Sequence, residues 1–548
     1  MKETPLYDAL RAHKNLNRAS FHTPGHKNSK KIMSKRLFEL DFTELPDTDS
    51  LYEASNVIKK AEMLMAQLYG AKSTIFSAGG CTLCIQTMLK LALPYGGKII
   101  ASRMIHKSAV NTMAILDAKV KWIMPEISES INNFSQISAT EIESMLQKDK
   151  NFDCVYVTSP DYFGRIADIE SIAKVCHRYN VPLLVDNAHG AHLKFLSRDI
   201  HPLALGADMV ADSVHKTLPV LTGGAFLHIA NEKYIKNAKQ AMALFGSTSP
   251  SYPIMSSLDI CRSWLKQNGK KAYLKLQNEV VKIKKIARRK GIFDDCENVD
   301  PVRLTLNTIK IGLLGYDAAE YFRKNGVEPE LSDKDKVVFI ATPMNSKADF
   351  IRLKYAIKTL PHGECVQNET PIFDVPIIKK SLHEALFSTS KSVEVRDSLG
   401  KISANTICPC PPGIPILMPG EVITENSIKN LLYYGVFEVI IVKLILAIVN
   451  SDDANAVLNA LTDNGFSVTK LSTTGGFLKV GNTTFITGVD DERVDEVIKI
   501  IKEKSNKRKQ SVPNATPLEV GMYSAIPFEI TIGGATVFVL DVDRFEKL

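Results

Sequence analysis

The sequence predicts an α/β protein whose mostly parallel sheet carries helices on both faces, followed by smaller α+β regions. Two observations lead to this fold class. Strand and helix patterns alternate from residue 73 to residue 230, and shorter elements alternate from Arg303 to about Gly435. After residue 440 the order becomes βαβ-βαβ, which indicates a ferredoxin-like unit.

The length of 548 residues is too great for one hydrophobic core. We expect a major domain over residues 1–300, a smaller region over 301–440 and the ferredoxin-like unit over 441–548. No linker-like composition separates the last unit from the region before it. These parts should therefore be packed together or closely tethered.

Composition excludes several classes of partner. The net charge of +8, from 68 basic and 60 acidic residues, is small for this length and does not indicate a nucleic-acid polymer. The most apolar stretch, residues 436–449, carries Glu438 and Lys443 and is typical of buried strand, not of a membrane span. Nine scattered cysteines and a polar N-terminus predict a reducing cytoplasm.

The first elements predict a phosphate cradle. A short amphipathic helix over residues 6–16 precedes the polar segment 21–27, which is either a surface turn or a pocket wall. The strand Ser73–Ser77 then runs into a glycine-rich turn that opens a helix. Free backbone N–H groups and the helix dipole at such a turn favour a phosphate group.

Functional side chains follow the predicted strands at their carboxyl ends, where sites form in α/β sheets. His106 follows a strand that begins at Lys98, and it either stacks on a cofactor ring or caps the next helix. Asp186 ends the apolar run Leu183–Asp186, and Ser213 follows the apolar run 207–211.

Lys216 lies in Ser213-Val214-His215-Lys216, just after a buried strand. Burial makes a lysine amine a usable nucleophile near neutral pH, as a Schiff-base lysine requires. Together with a carboxylate, here Asp186, for a pyridinium nitrogen, it supplies the minimum set for pyridoxal phosphate (PLP). The alternative is a surface lysine. The ordered pair Asp-x-Ala-His and Ser-x-His-Lys favours PLP.

A zinc site is the competing interpretation of the cysteines. Cys81-x-x-Cys84 and Cys408-x-Cys410 are the closely spaced pairs. No histidine joins either pair at ligand spacing, and the first pair falls at the start of a predicted buried helix. We therefore expect no metal.

Residues 1 to about 440 resemble the prokaryotic Orn/Lys/Arg decarboxylases, in the short form without the wing domain. The matching stretches are Phe-His-Thr-Pro-Gly-His-Lys (21–27), Ile-His-Lys-Ser (105–108), Val-Asp-Asn-Ala-His-Gly-Ala-His (185–192), Ser-Val-His-Lys-Thr-Leu-Pro (213–219), Thr-Ser-Pro-Ser-Tyr (248–252) and Pro-Pro-Gly-Ile-Pro (411–415). The resemblance implies a PLP enzyme of the aspartate-aminotransferase fold that acts on a basic amino acid.

The resemblance also implies a role for each site residue. Lys216 would bind PLP as a Schiff base, Asp186 would hold the pyridine nitrogen protonated, His106 would stack on the ring, and His189 would lie near its 3-oxygen. The implied phosphate contacts are Gly80, Cys81, Thr82, Ser213 and His215. Cys81 departs from the family, which usually has serine or threonine there; a thiol is the weaker donor. Cys408-Pro409-Cys410 stands where Pro-Tyr-Pro is common.

Residues 442–548 resemble the cyclic-di-AMP receptors of the PII-like group. The matching stretches are 469–478, 481–485 and 533–540, and the implied ligand contacts are Thr469, Gly476, Phe477, Leu478, Asn482 and Gly488. Gly465 and Ser467 replace the family's usual asparagine and arginine, which removes a charge-assisted contact. The alternative is an oligomerisation module without a ligand.

Together these features predict a PLP-dependent carboxy-lyase that converts arginine, lysine or ornithine to a polyamine precursor, fused to a cyclic-di-AMP sensor. The alternatives are a catalytically silent scaffold and another PLP reaction such as aminotransfer. The two resemblances imply a homo-oligomer, with a dimer formed through the decarboxylase and a trimer through the receptor.

Overall fold

A computed structural model describes most of the chain. The described residues are 18–21, 42–45, 48–125, 127–128, 133–134, 136–364, 374–388, 390–409, 415–442, 445–466, 468–474, 481–487, 494–505, 507–512 and 528–539. The predicted helix over 6–16, segment 21–27 after its first residue, and most of loop 411–415 lie outside them.

The chain divides into two compact units. The first comprises residues 1–376, 381–383 and 406–418, and the second comprises 377–380, 384–405 and 419–548. The boundaries predicted at residues 300 and 440 follow changes in the pattern of strands and helices along the sequence, and they differ from this spatial division. They remain predictions about folding domains.

Both units contain β-strands. In chain order they are β1 (Ala19–Phe21), β2 (Ser73–Ser77), β3 (Lys98–Ser102), β4 (Lys119–Ile123), β5 (Ile127–Ser128), β6 (Asn133–Phe134), β7 (Cys154–Thr158), β8 (Leu183–Asp186), β9 (Met209–Asp212), β10 (Ala225–Ile229), β11 (Arg303–Asn307), β12 (Val327–Pro329), β13 (Leu331–Ser332), β14 (Lys336–Ile340), β15 (Ser390–Glu394), β16 (Glu438–Val442), β17 (Ile445–Asn450), β18 (Val468–Thr474), β19 (Gly481–Thr487), β20 (Lys507–Val512), β21 (Phe528–Gly533) and β22 (Ala535–Phe538).

Helices connect and cover these strands. In chain order they are α1 (Val57–Tyr69), α2 (Gly80–Ala92), α3 (Lys107–Ile115), α4 (Ala139–Lys148), α5 (Ile169–Arg178), α6 (Val214–Thr217), α7 (Ala238–Ala243), α8 (Tyr252–Arg289), α9 (Gly315–Lys324), α10 (Lys347–Thr359), α11 (Leu382–Leu386), α12 (Glu425–Tyr433), α13 (Ser451–Asp463) and α14 (Val494–Lys504).

A seven-stranded sheet organises the first unit, in the order β2-β10-β9-β8-β7-β3-β4. All neighbouring strands are parallel except β10, which runs antiparallel to both β2 and β9. The central strands β7, β8 and β9 are almost entirely buried, because helices cover both faces. The predicted mostly parallel α/β sheet is confirmed, and the carboxyl ends of β7, β8 and β9 lie side by side.

The smaller strands in the described part of the first unit form three further sheets. β5 and β6 pair antiparallel. An antiparallel sheet has the order β11-β14-β13, and β1 pairs with β12 in parallel. Phe21, Phe339 and Phe350 pack edge to face beside them, with ring centroids about 6 Å apart.

The second unit contains a four-stranded antiparallel sheet in the order β18-β19-β17-β22. With helices α13 and α14 inserted between its strands, this is the predicted ferredoxin-like order. Val457, Leu461 and Phe485 belong to its buried core. The polar, basic sequence that follows Glu503 predicts a loop. That prediction is wrong, because Lys507–Val512 forms strand β20, which pairs with β21 as a two-stranded ribbon.

No helix in the described part of the chain is long and apolar enough to cross a bilayer.

Candidate active site

A cavity of about 440 Å³ opens at the carboxyl ends of β7, β8 and β9. All nine residues predicted for catalysis and cofactor binding line it: Gly80, Cys81, Thr82, His106, Asp186, His189, Ser213, His215 and Lys216. They come from four separate segments of the chain. The topology of the sheet therefore collects the side chains that the sequence singled out.

Lys216 lies in the short helix α6, directly after the buried strand β9. A hydrogen bond anchors this helix to α8, because the Tyr273 hydroxyl donates to the carbonyl oxygen of Thr217 over 3.0 Å. Part of the Lys216 side chain is accessible from the cavity. Burial is nonetheless the largest influence on its amine, and it lowers the pKa of Lys216 below the usual value.

Asp186 ends β8 and is almost fully buried. Its carboxylate accepts hydrogen bonds from the Ala188 N–H over 3.1 Å and from the Tyr156 hydroxyl over 3.2 Å. Burial raises the pKa of Asp186, while His106 and Lys216 oppose that shift. A further cation at this carboxylate would stabilise its charged form.

Two histidines flank these groups. His189 Nε2 lies 3.0 Å from Lys216 Nζ, and burial followed by the charge of Lys216 lowers the pKa of His189 well below its usual value. His106 is the N-cap of α3, and its Nδ1 accepts from the Ser108 N–H over 3.2 Å. The helix-capping interpretation of His106 is therefore correct, and the residue also lines the cavity.

The glycine-rich turn forms the N-terminus of α2, which begins at Gly80. Gly80 has φ +73°, a conformation that favours glycine, and its N–H donates to the Gly223 carbonyl oxygen over 2.8 Å. Cys81 and Thr82 occupy the next two positions, where a helix leaves N–H groups without an intrahelical partner. These two N–H groups, and not that of Gly80, are thus the donors offered to an anion.

Ser213 and His215 line the same cavity as that turn. Their side chains are 3.5 Å apart, measured from Ser213 Oγ to His215 Nδ1, and His215 Nδ1 also lies 3.3 Å from the Gly224 carbonyl oxygen. The backbone N–H of His215 donates to the same carbonyl over 3.2 Å. The Gly223-Gly224 turn therefore fixes this wall of the cavity.

Three residues of the site were not singled out from the sequence. Tyr156 supports Asp186 from the neighbouring strand β7. The centroids of the Tyr162 and His189 rings are 4.5 Å apart, and Lys216 Nζ lies 5.5 Å from the centroid of the Tyr162 ring. Arg303 is buried and donates to the carbonyl oxygens of Tyr162 and His189. No local motif marks these residues, because each reaches the site through tertiary packing.

Several of these observations fit PLP. An enclosed lysine of lowered pKa faces the cavity, and a buried carboxylate supported by two donors ends the adjacent strand. A Cβ built on Gly80 would meet no atom within 4 Å, so the turn leaves room beside the unpaired N–H groups of α2. The donor set therefore suits a phosphate, a pyridinium nitrogen and an aldehyde.

The predicted nucleotide contacts of the second unit are only partly described. Thr469 lies in β18 and Asn482 in the adjacent strand β19, where Asn482 pairs with Thr473. Gly476, Phe477, Leu478 and Gly488 lie outside the described residues. Gly465, one of the two departures from the family, follows α13 with φ +79° and ends that helix.

Family models match most of the chain, and residues 307–376 lie between the matched segments. The Orn/Lys/Arg decarboxylase major domain matches residues 4–306, more than half of the 548 residues, and the C-terminal domain of the same family matches residues 377–444. The cyclic-di-AMP receptor model matches residues 442–548.

Curated relatives cover about four fifths of the chain. Uncharacterized protein YaaO of Bacillus subtilis (strain 168) is 32% identical over 78% of this chain and 93% of its own length. Arginine decarboxylase of the same strain is 30% identical over 78% of this chain and 92% of its own length.

The solved structure of Escherichia coli constitutive lysine decarboxylase matches with TM-score 0.63 and 18% identity, covering 80% of this chain and 82% of that one. That likeness shows a shared fold, and the sequence matches show common descent. The chain therefore belongs to the Orn/Lys/Arg decarboxylase family of PLP-dependent amino-acid decarboxylases.

Proposed function

We propose that this enzyme removes the α-carboxyl group of arginine, lysine or ornithine and so produces agmatine or a diamine, a polyamine precursor. The observation that carries the proposal is the convergence of Lys216, Asp186, His106 and His189 on one cavity. The relatives named arginine decarboxylase support arginine as the first substrate to test.

We further propose how the cavity would hold PLP. Lys216 would bind it covalently, Asp186 would pair with its pyridine nitrogen, and His106 would stack on its ring. The N–H groups of Cys81 and Thr82, with Ser213 and His215, would bind its phosphate. When bound, PLP supplies an electron sink for the electrons that the departing CO₂ leaves behind.

The chain's own groups then manage protons. The lowered pKa of Lys216 keeps more of its amine unprotonated near neutral pH, as a nucleophile requires. His189 Nε2, 3.0 Å from Lys216 Nζ, can exchange a proton with that amine. Tyr156 and the Ala188 N–H hold the Asp186 carboxylate so that its charge stays directed into the cavity.

Product analysis tests the proposal. The purified enzyme is incubated with PLP and, in separate reactions, with arginine, lysine and ornithine, and both CO₂ and the amine are measured. Lys216→Ala, which removes the proposed nucleophile, should release no CO₂. A 2-oxo acid in place of CO₂ would favour aminotransfer. A colourless protein without turnover would favour a scaffold.

The second unit is proposed to bind cyclic-di-AMP through Thr469, Gly476, Phe477, Leu478, Asn482 and Gly488. The family-model match over 442–548 and the ferredoxin-like sheet support this. The alternative remains an oligomerisation module without a ligand, because Gly465 and Ser467 replace residues that the family often uses. Calorimetric titration of the whole enzyme with cyclic-di-AMP distinguishes the two.

Oligomeric state connects the two proposals. A decarboxylase dimer has two-fold symmetry and a receptor trimer has three-fold symmetry. One chain satisfies both in a closed assembly such as a hexamer, or else forms an open network. A nucleotide that binds the trimer more tightly would therefore shift the population toward the hexamer.

A further inference from the structure

A fully buried polar cluster lies directly next to the active site, and the proposed function does not yet use it. It consists of Asp212, the last residue of β9, together with His201 and His228, and all three are completely buried. A carboxylate in such a place is costly unless several donors compensate for its lost hydration. Asp212 immediately precedes Ser213, so the cluster is joined to the segment that carries Lys216.

Three side-chain nitrogen atoms lie within 3.3 Å of the Asp212 carboxylate oxygens. Asn187 Nδ2 donates to Oδ1 over 2.6 Å, His201 Nε2 lies 3.0 Å from Oδ2, and His228 Nε2 lies 3.3 Å from Oδ2. His201 Nδ1 accepts from the Leu203 N–H over 3.3 Å, so the proton of that ring lies on Nε2 and points at Asp212.

The electrostatics of the cluster keep Asp212 ionised. Burial alone acts to raise the pKa of Asp212, but attraction and hydrogen bonds from His201 and His228 outweigh it and lower the pKa. Burial also lowers the pKa of His228, whose Nδ1 lies 2.8 Å from Thr74 Oγ1. Thr74 thus contacts the cluster on the side away from Asn187.

Asn187 transmits this arrangement to the active site. It stands between Asp186 and His189 in the chain, its N–H donates to Ala211 of β9 over 2.9 Å, and its carbonyl oxygen accepts from the Gly190 N–H. Its side chain is closely confined, because a Cβ on Gly190 would lie 2.0 Å from Asn187 Oδ1.

We propose that Asp212 is a positioning residue: its buried carboxylate clamps Asn187 and so holds the Asp186–His189 segment in register with the Ser213–Lys216 segment. Both segments end neighbouring strands, and the active-site contact between His189 and Lys216 spans them. This inference rests on the proposed roles of Lys216 and Asp186. It adds that their geometry depends on a charge outside the cavity.

A metal site is the competing interpretation of the same cluster. The candidate ligand atoms of His201, Asp212 and His228 all lie within 4.8 Å of one another. Yet Asn187 Nδ2 already donates to the Asp212 carboxylate. The Leu203 N–H donates to His201 Nδ1, which leaves the proton of that ring on Nε2, the atom that faces Asp212 and would have to bind the metal. We therefore make metal content an outcome of the test.

The test is a double-mutant cycle on the holoenzyme, with Asp212→Asn, Asn187→Ala and both together. We expect each single variant to lower kcat about 10- to 100-fold, the range of one charge-assisted hydrogen bond, with KM changed by less than about threefold. The PLP dissociation constant should rise in both. Because the two residues act as one unit, the double variant should be little worse than either.

Thr74→Val is the matched control, since it removes a hydrogen bond of the same cluster without touching Asn187. It should change kcat and PLP affinity by less than about threefold. If Thr74→Val lowers kcat and PLP affinity as much as Asn187→Ala does, the positioning role is refuted, and the cluster serves only the stability of the fold. This comparison also decides the case if Asp212→Asn fails to fold. The positioning role is also refuted if the loss of kcat in the double variant equals the product of the losses in the two single variants.

One equivalent of metal in the wild-type enzyme, lost in Asp212→Asn, would overturn the inference in favour of a metal site. Failure of the proposed function is seen separately, because the wild-type enzyme itself would then release no CO₂. The cycle on PLP affinity would still report whether Asp212 and Asn187 act together.

Discussion

Replacing Lys216 by methionine should abolish activity and yet stabilise the PLP-free protein. Methionine keeps most of the volume and the flexible stem of lysine but carries no charge. Burial lowers the pKa of Lys216, so folding disfavours the protonated amine. The buried amine therefore lowers the stability of the wild-type protein, as functional groups at active sites often do.

The size of the effect follows from two opposing contributions. Replacing buried ionic groups with apolar residues of similar volume is often neutral or stabilises by about 1–4 kcal/mol. The variant also loses the contact between Lys216 Nζ and His189 Nε2, and one such hydrogen bond contributes about 1 kcal/mol. Because part of Lys216 is accessible from the cavity, we expect a net gain of about 1 kcal/mol.

The pH dependence gives the sharper signature. In the unfolded chain the pKa of Lys216 is about 10.4, and in the folded protein its pKa is lower. Between those values the unfolded state binds more protons, so wild-type stability rises with pH. The advantage of Lys216→Met should be full below the folded pKa and should vanish as the pH approaches about 10.4.

Urea unfolding of PLP-free protein at several pH values measures this. Trp122 and Trp264 are the two tryptophans of the sequence, and both lie in the first unit, so their fluorescence reports that unit. Lys174→Met is the control, because Lys174 is exposed and forms a surface ion pair with Glu170. A Lys216→Met protein that is less stable at every pH, or whose advantage ignores pH, would refute the reasoning.

Three further predictions concern the cofactor and the nucleotide. Asp186→Asn should retain PLP but lose at least about 10²-fold in kcat, because the amide cannot keep the pyridine nitrogen protonated; near-normal turnover would show that Asp186 is not its partner. Cys81→Ser should slow PLP loss on dialysis about 2- to 10-fold, since a hydroxyl donates more strongly than a thiol whose pKa burial raises; equal or faster loss would place Cys81 away from the phosphate. Cyclic-di-AMP should raise the mass measured by light scattering toward a hexamer, and Phe477→Ala with Asn482→Ala should abolish the response; a dimer unaffected by the nucleotide would leave the second unit a passive module.

The parallel sheet could be predicted well because its strands are buried on both faces. Such strands are continuous apolar runs, and the apolar run Leu183–Asp186 of the sequence has the same bounds as strand β8. The strand Lys507–Val512 could not be predicted in this way. Its sequence is basic and polar, and it becomes a strand only because Phe528–Gly533 lies beside it. Pairing over that distance leaves no local pattern.

The same distinction separates the predicted site residues from the missed ones. Lys216 and Asp186 stand at strand ends in motifs, so their position could be inferred from the sequence. Tyr156 reaches Asp186 because β7 and β8 are paired neighbours. Arg303 reaches the carbonyl oxygen of His189 across 114 positions. Such partners depend on strand order and packing, which the sequence does not display locally.

The phosphate cradle shows how strand order changes the meaning of a motif. The family resemblance implies phosphate contacts at Gly80, Cys81 and Thr82, but β10 pairs antiparallel with β2 and brings Gly223 next to Gly80. The Gly80 N–H is consumed there, and the same turn fixes His215 through the Gly224 carbonyl. Gly224 must be glycine for this approach, since a Cβ would lie 2.3 Å from Val220 Cγ1. One glycine pair thus contacts both walls of the cavity. In the proposed arrangement, phosphate binding would then depend on the N–H groups of Cys81 and Thr82.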